Sequence, residues 1–177
     1  MLSRLGGLFL VAGGVLAVAL GMLAAGGTSI GIGAGAANGQ YVLAAIALTA
    51  VGATGVAMSG RAPLRAGTAR VGAVVLATGL VLVGVSFLAG ESIGALVALA
   101  GLLVTAVGSV AVGIGLVRSL GVGRWIGGAM LAGVLLAVVG TIGPHDIQVV
   151  AMIGMMLMVG SLAAVGVLTV RTPAVAG

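Results

Sequence analysis

Between residues 5 and 60 the chain carries no charged side chain. A bilayer core about 30 Å thick is crossed by about 20 apolar residues of helix, each rising 1.5 Å. That stretch is therefore long enough for two spans. Four further charge-free stretches, residues 71–90, 92–117, 125–144 and 147–170, each hold one. The predicted fold class is an all-α integral membrane protein. Its six transmembrane helices lie at about 5–24, 41–59, 71–89, 93–117, 125–143 and 147–170, in a single transmembrane domain over 1–177.

Composition excludes the main alternatives. The chain is 62% hydrophobic and 5% charged, with a mean hydropathy of +1.44. A soluble domain carries roughly a quarter charged residues, so this chain lacks the polar surface to cover a water-facing globule. Its 35 glycines follow no period of three, and its hydrophobicity is far above that of disordered chains. Cysteine is absent and histidine occurs once, which removes disulfides, thiolate sites, thiol nucleophiles and any two-histidine metal site within one chain. No cofactor and no metal is expected. The sequence pI of about 11.9 comes from arginines scattered between apolar runs rather than clustered on one face, so nucleic acid is not an expected partner.

The arginines test the helix count independently, because short cytoplasmic loops accumulate Arg and outer loops do not. Arg4 precedes the first span; Arg61, Arg65 and Arg70 separate the second from the third; Arg118 and Arg124 separate the fourth from the fifth; Arg171 follows the sixth. Glu91, His145 and Asp146 fall on the other side. Five or seven spans would divide the arginines between the two faces. Six spans with both termini cytoplasmic, in the plasma membrane, is the topology expected. Trp125 and Tyr41 sit at span ends, where amphipathic rings prefer the interface. A signal peptide over the first 25 residues is the alternative for the first span, but a signal h-region runs about 7 to 15 residues and this apolar run is nearer 20.

The chain also reads as three helical hairpins of similar length. Nine positions after Arg4, Arg70 and Arg124 comes a glycine (Gly13, Gly79, Gly133), and twelve positions after comes a leucine (Leu16, Leu82, Leu136). Residues 90–118 align without a gap on 143–171, with nine identities in 29 positions, against about four expected by chance from so biased a composition. Small residues let helix backbones approach closely in lipid, so Gly13, Gly79 and Gly133 are expected at helix contacts. A parallel repeat differs from the inverted repeats common in secondary transporters.

Candidate chemistry is sparse. Gly27, Gly31, Gly35 and Gly39 are four apart, either a stacked helical face or a flexible outer loop over 26–40; so many glycines weaken a helix, which favours the loop. The run from Gly31 to Ala36 has the form of a dinucleotide fingerprint, but no strand precedes it and no acid follows at about 20 residues. Met152, Met155 and Met156 share a helical face, and soft thioethers suit Cu(I), although methionine is also a flexible gap filler and no Cys or His completes a site. Glu91, His145 and Asp146 form a possible outer polar cluster. Solvated turns, with Asp146 capping the sixth helix, are the ordinary reading. A pH-sensitive cluster is the functional one, since histidine titrates near pH 6.5. The glycine pattern looks like that of rotary ATPase proteolipids, but these need a carboxylate buried mid-helix, and here both acids lie at span ends.

Arg124-Trp125, then Gly133 and Gly140, a turn at Gly143-Pro144, then Gly154 and Gly160, resemble the HdeD-like acid-resistance membrane proteins. That resemblance implies six helices in three repeated hairpins and a stress-associated role, with no catalytic residues to carry over. The function expected is a non-enzymatic multi-pass membrane protein, structural or linked to stress or acid resistance, whose partners are the lipid bilayer and either a second copy or another membrane protein. The alternative is a small-solute transport component, similar in length and helix count to the substrate-binding subunits of vitamin and metal importers. Such a subunit needs polar groups converging on an outward cavity, and Asn38, Gln40, Tyr41, His145, Asp146 and Gln148 make a thin inventory for one.

Overall fold

The computed structural model describes residues 2–25, 39–59, 67–89, 91–119, 121–142 and 148–171. These form six helices: α1 (Leu2–Ala25), α2 (Gly39–Ser59), α3 (Gly67–Ser86), α4 (Glu91–Val117), α5 (Val122–Ile142) and α6 (Gln148–Arg171). There is no strand among the described residues. Tyr41–Ser59, Gly67–Ser86, Ile93–Val117, Val122–Ile142 and Val149–Arg171 are long and apolar enough to cross a membrane, and α1 carries the shorter apolar stretch Arg4–Leu20. The chain is a multi-pass membrane protein.

Helix ends depart from the hydropathy boundaries where hydrogen bonding, rather than charge, decides them. The third helix is expected at 71–89 but runs from Gly67 to Ser86. Its start takes in Arg70, because a charged side chain does not break a helix when its head can reach a polar partner, and Arg70 Nε donates to the Ala57 carbonyl of α2 at 2.9 Å. Its end comes early: Leu88 N donates to Val85 O at 2.9 Å and the Ser86 hydroxyl to Val83 O at 2.7 Å, three-residue closures that tighten the last turn. The fifth helix likewise begins before Trp125, at Val122. Gly121 precedes it with φ of 77°, a conformation that L side chains rarely adopt.

The helices follow one another around a ring, each packing on its chain neighbours, and α1 closes it against α6. All neighbours are antiparallel. In the first hairpin Gly6 faces Gly55 and Val56, while Gly13 faces Thr49. In the second, Gly72 faces Ala111 and Val112, while Gly79 faces Thr105; in the third, Gly133 faces Gly154 and Met158, while Gly140 faces Ala151. At the ring closure Gly7 meets Gly166 and Gly14 meets Ala163. The start of α1 therefore lies beside the end of α6.

Between these backbones sits a core of small side chains with a few large ones. Ala50, Ala53, Ala57, Ala69, Ala73 and Ala77 are buried, together with Leu10, Leu76, Leu116, Met130, Val56, Val112 and Val165. Most large apolar residues in the first two-thirds of α4, including Ile93, Leu96, Leu103 and Val107, point outward instead. Lipid tails are as apolar as leucine, so burying Leu96 against protein gains little, whereas close approach of Gly and Ala gains dispersion contacts along the whole backbone.

Candidate functional site

The buried polar inventory is made of hydroxyls that are already satisfied. Thr49, Thr105, Ser109, Ser161 and Thr169 are buried, and each donates to the carbonyl four residues back in its own helix at 2.7–2.8 Å. Among the described residues no buried side-chain nitrogen or oxygen lacks a partner. A hydroxyl that donates within its helix needs nothing from a substrate or from a neighbouring helix, which suits an apolar interior where an unpartnered donor costs several kcal/mol.

Two of these threonines lie against the glycines of the register counted from Arg4 and Arg70. A Cβ added at Gly13 would stand 2.8 Å from the Thr49 nitrogen and 3.1 Å from Ala45 O. One added at Gly79 would strike both Thr105 N and Thr105 Oγ1 and lie 2.8 Å from Gly101 O. Gly133 meets Met158 N and Gly154 O, each at 2.8 Å from such a Cβ. Toward the arginine end, Leu10 N would lie 2.5 Å from a Cβ at Gly52, and Leu76 N closer still to one at Gly108. The threonines and their neighbours escaped the sequence reading although a signal existed: Thr-Ala-Val-Gly occurs at 49–52 and again at 105–108.

The expected outer cluster is only partly within view. Glu91 is the first residue of α4 rather than part of the preceding turn, and His145 and Asp146 lie outside the described residues, as does most of the stretch 26–40, of which Gly39 and Gln40 open α2. No group of three or more His, Cys, Asp or Glu residues that could hold a metal ion occurs among the described residues. Of the α6 methionines, Met155 is exposed and Met158 packs against the core. Met156 lines a groove on the α5–α6 surface.

The arginine end offers the most distinctive chemistry. Arg4 and Arg70 lie in the first turns of α1 and α3, Arg118 just beyond α4, Arg124 in the first turn of α5 and Arg171 at the end of α6, so the antiparallel packing gathers all five at one end of the ring. Glu91 starts the 27-residue α4, which places it roughly 40 Å from that helix's Arg118 end. Near Arg124 an open cavity of about 810 Å³ is lined by Val117, Gly121, Val122, Arg124, Trp125 and Gly128. Trp125 also heads the α5–α6 groove, about 530 Å³, whose lining includes Ile126, Ala129, Ile153, Met156, Leu157 and Gly160. Hydropathy marked Arg124 and Trp125 as a span boundary and could not show that a cavity and a groove meet there.

Comparison with known proteins finds no matching family model, no matching curated protein and no matching solved structure.

Proposed function

We propose that this chain is a non-enzymatic membrane protein of six spans, built as three parallel repeats of one helical hairpin. Both termini and the arginine-bearing loops face the cytoplasmic side of the plasma membrane. It acts by packing, with itself or with a partner membrane protein, in a structural or stress-associated role of the kind that the HdeD-like resemblance implies. The observation that carries this reading is that described buried hydroxyls close on their own helices while glycines let neighbouring helix backbones approach within contact distance. The repeat is supported by the matched contacts of Gly13 with Thr49 and Gly79 with Thr105, and the orientation by the gathering of arginines at one end.

A transport component would place polar groups around a cavity. Here the α5–α6 groove is lined by apolar side chains and by Ser161, whose hydroxyl already donates to Leu157 O at 2.7 Å.

Reporter fusions after Gly60, Gly90, Gly121 and His145 test the topology. Alternation in, out, in, out is expected, and two successive fusions on the same side would overturn the six-span arrangement.

A further inference from the structure

We propose that the α5–α6 surface holds one anionic phospholipid, its headgroup phosphate at Arg124 and an acyl chain in the groove that begins at Trp125. This inference rests on the membrane-embedded reading above and adds a ligand class to it.

Three features of the surface converge. First, Arg124 lines the open cavity at the arginine end and has no ion-pair partner among the described residues. Glu91, the one acid among them, begins α4, at the far end of the ring. A cation with no ion-pair partner among the described residues, set at headgroup level, is an attractor for lipid phosphate. Second, the groove continues from the same tryptophan: Trp125 borders both the cavity and the apolar channel floored by Ala129, Gly160 and Ala164. Trp125 is 82% exposed, and an indole ring at a span end sits at the level between headgroup and chain. Third, the groove has the length of one leaflet. From Ala164 to Ile153 along α6 is about 16 Å at 1.5 Å per residue, close to half of a 30 Å hydrocarbon core. An acyl chain of one monolayer matches that length, whereas a neighbouring transmembrane helix would need a seam along the full bilayer.

The glycine on the groove floor distinguishes this surface from the helix contacts. A Cβ at Gly160 would meet nothing within 4 Å, and the same holds at Gly128 on the cavity wall. Both positions therefore leave space beside the protein, unlike Gly133 and Gly154, where another helix backbone fills it.

The chain has one tryptophan, so its fluorescence reports this site alone. The protein is reconstituted into phosphatidylcholine vesicles containing increasing fractions of phosphatidylglycerol or phosphatidylcholine with brominated acyl chains, which quench tryptophan on contact. Brominated phosphatidylglycerol is expected to reach half-maximal quenching at about fivefold lower mole fraction, the factor that one cation near the surface supplies. Arg124→Gln should bring that ratio near one, and Arg124→Lys should retain most of it. Gly160→Leu, whose Cβ meets no protein atom within 4 Å and whose side chain takes up groove space, should reduce the maximal quenching by both lipids. Equal half-points for the two lipids in the parent protein, or a preference that survives Arg124→Gln, would overturn the assignment. So would a Trp125 shielded from both lipids, which would put a second copy of the chain in the groove. Alkaline carbonate extraction of native membranes separates the two levels: release of the protein sinks the membrane reading itself, while retention without a phosphatidylglycerol preference sinks this inference alone.

Discussion

Gly79 of α3 lies directly against Thr105 of α4, so closely that a single added methyl group would collide with both the backbone nitrogen and the hydroxyl of the threonine. The hydroxyl meanwhile donates to Gly101 O at 2.8 Å, an oxygen that would also lie 2.8 Å from a Cβ added at Gly79. The contact thus combines a missing side chain on one helix with a side chain folded back on the other. Close approach of two backbones becomes possible, and dispersion along the helices takes the place of the hydrophobic effect that lipid removes.

Enlarging that contact should be costly. Gly79→Ala is expected to lower the thermal stability of the detergent-solubilised protein by about 1–3 kcal/mol, the usual penalty of overpacking against backbone. At Gly128 the same change meets open space and should be neutral or stabilising by up to about 1 kcal/mol through helix propensity. Melting curves of the two variants side by side decide the matter; equal shifts would remove the significance of the Gly79–Thr105 approach.

The Thr105 hydroxyl has a local partner, and its loss should matter less than its bulk. Thr105→Val keeps the shape and leaves the Gly101 carbonyl its own backbone hydrogen bond, so a change below about 1 kcal/mol is expected. Thr105→Leu, which must push against α3, should cost several times more. Thermal denaturation reads both, and a large loss in Thr105→Val would mean that the hydroxyl holds something beyond its own helix.

Arg70 ties two hairpins together. Its guanidinium donates to Ala57 O at 2.9 Å across the α2–α3 contact, where a Cβ placed at Gly84 would lie at ordinary contact distance, 3.6 Å, from Ile46. Arg70→Gln should lower stability by about 1 kcal/mol, the low end for a charge-assisted bond at an exposed residue. Arg118→Gln removes an exposed arginine and should leave the melting temperature unchanged. If both variants melt together, the tie contributes nothing measurable.

Core filling should be felt inside the ring and not on its outside. Met130 is fully buried at 0% exposure and Leu135, five residues on, is 64% exposed. Met130→Ala is expected to cost about 2–5 kcal/mol through the cavity it leaves, and Leu135→Ala almost nothing in detergent, because the micelle closes over the missing atoms. Comparable losses would place Leu135 against another protein surface.

Much of the architecture was legible before any coordinates. Charge-free stretches of span length locate six helices, because a bilayer demands continuous apolar helix and a charge inside it is expensive. Arginine positions anticipate that the span ends carrying Arg4, Arg70, Arg118, Arg124 and Arg171 share one end of the molecule. The count from Arg4, Arg70 and Arg124 also singled out Gly13, Gly79 and Gly133, each of which meets the backbone of a neighbouring helix.

Hydropathy could not decide which glycines pack and which stay open. Gly133 and Gly128 are five residues apart in the same apolar helix, and nothing in their local sequence tells them apart; one is pressed against α6 and the other faces open space. The difference depends on how α5 is rotated about its axis, which is set by all its contacts with α4 and α6 together. For the same reason the meeting of Arg124, Trp125 and the α5–α6 groove appears only in three dimensions. A helix that is apolar all round carries no stripe to announce which side faces protein, so in this chain the span limits are a property of the sequence and the faces are a property of the packing.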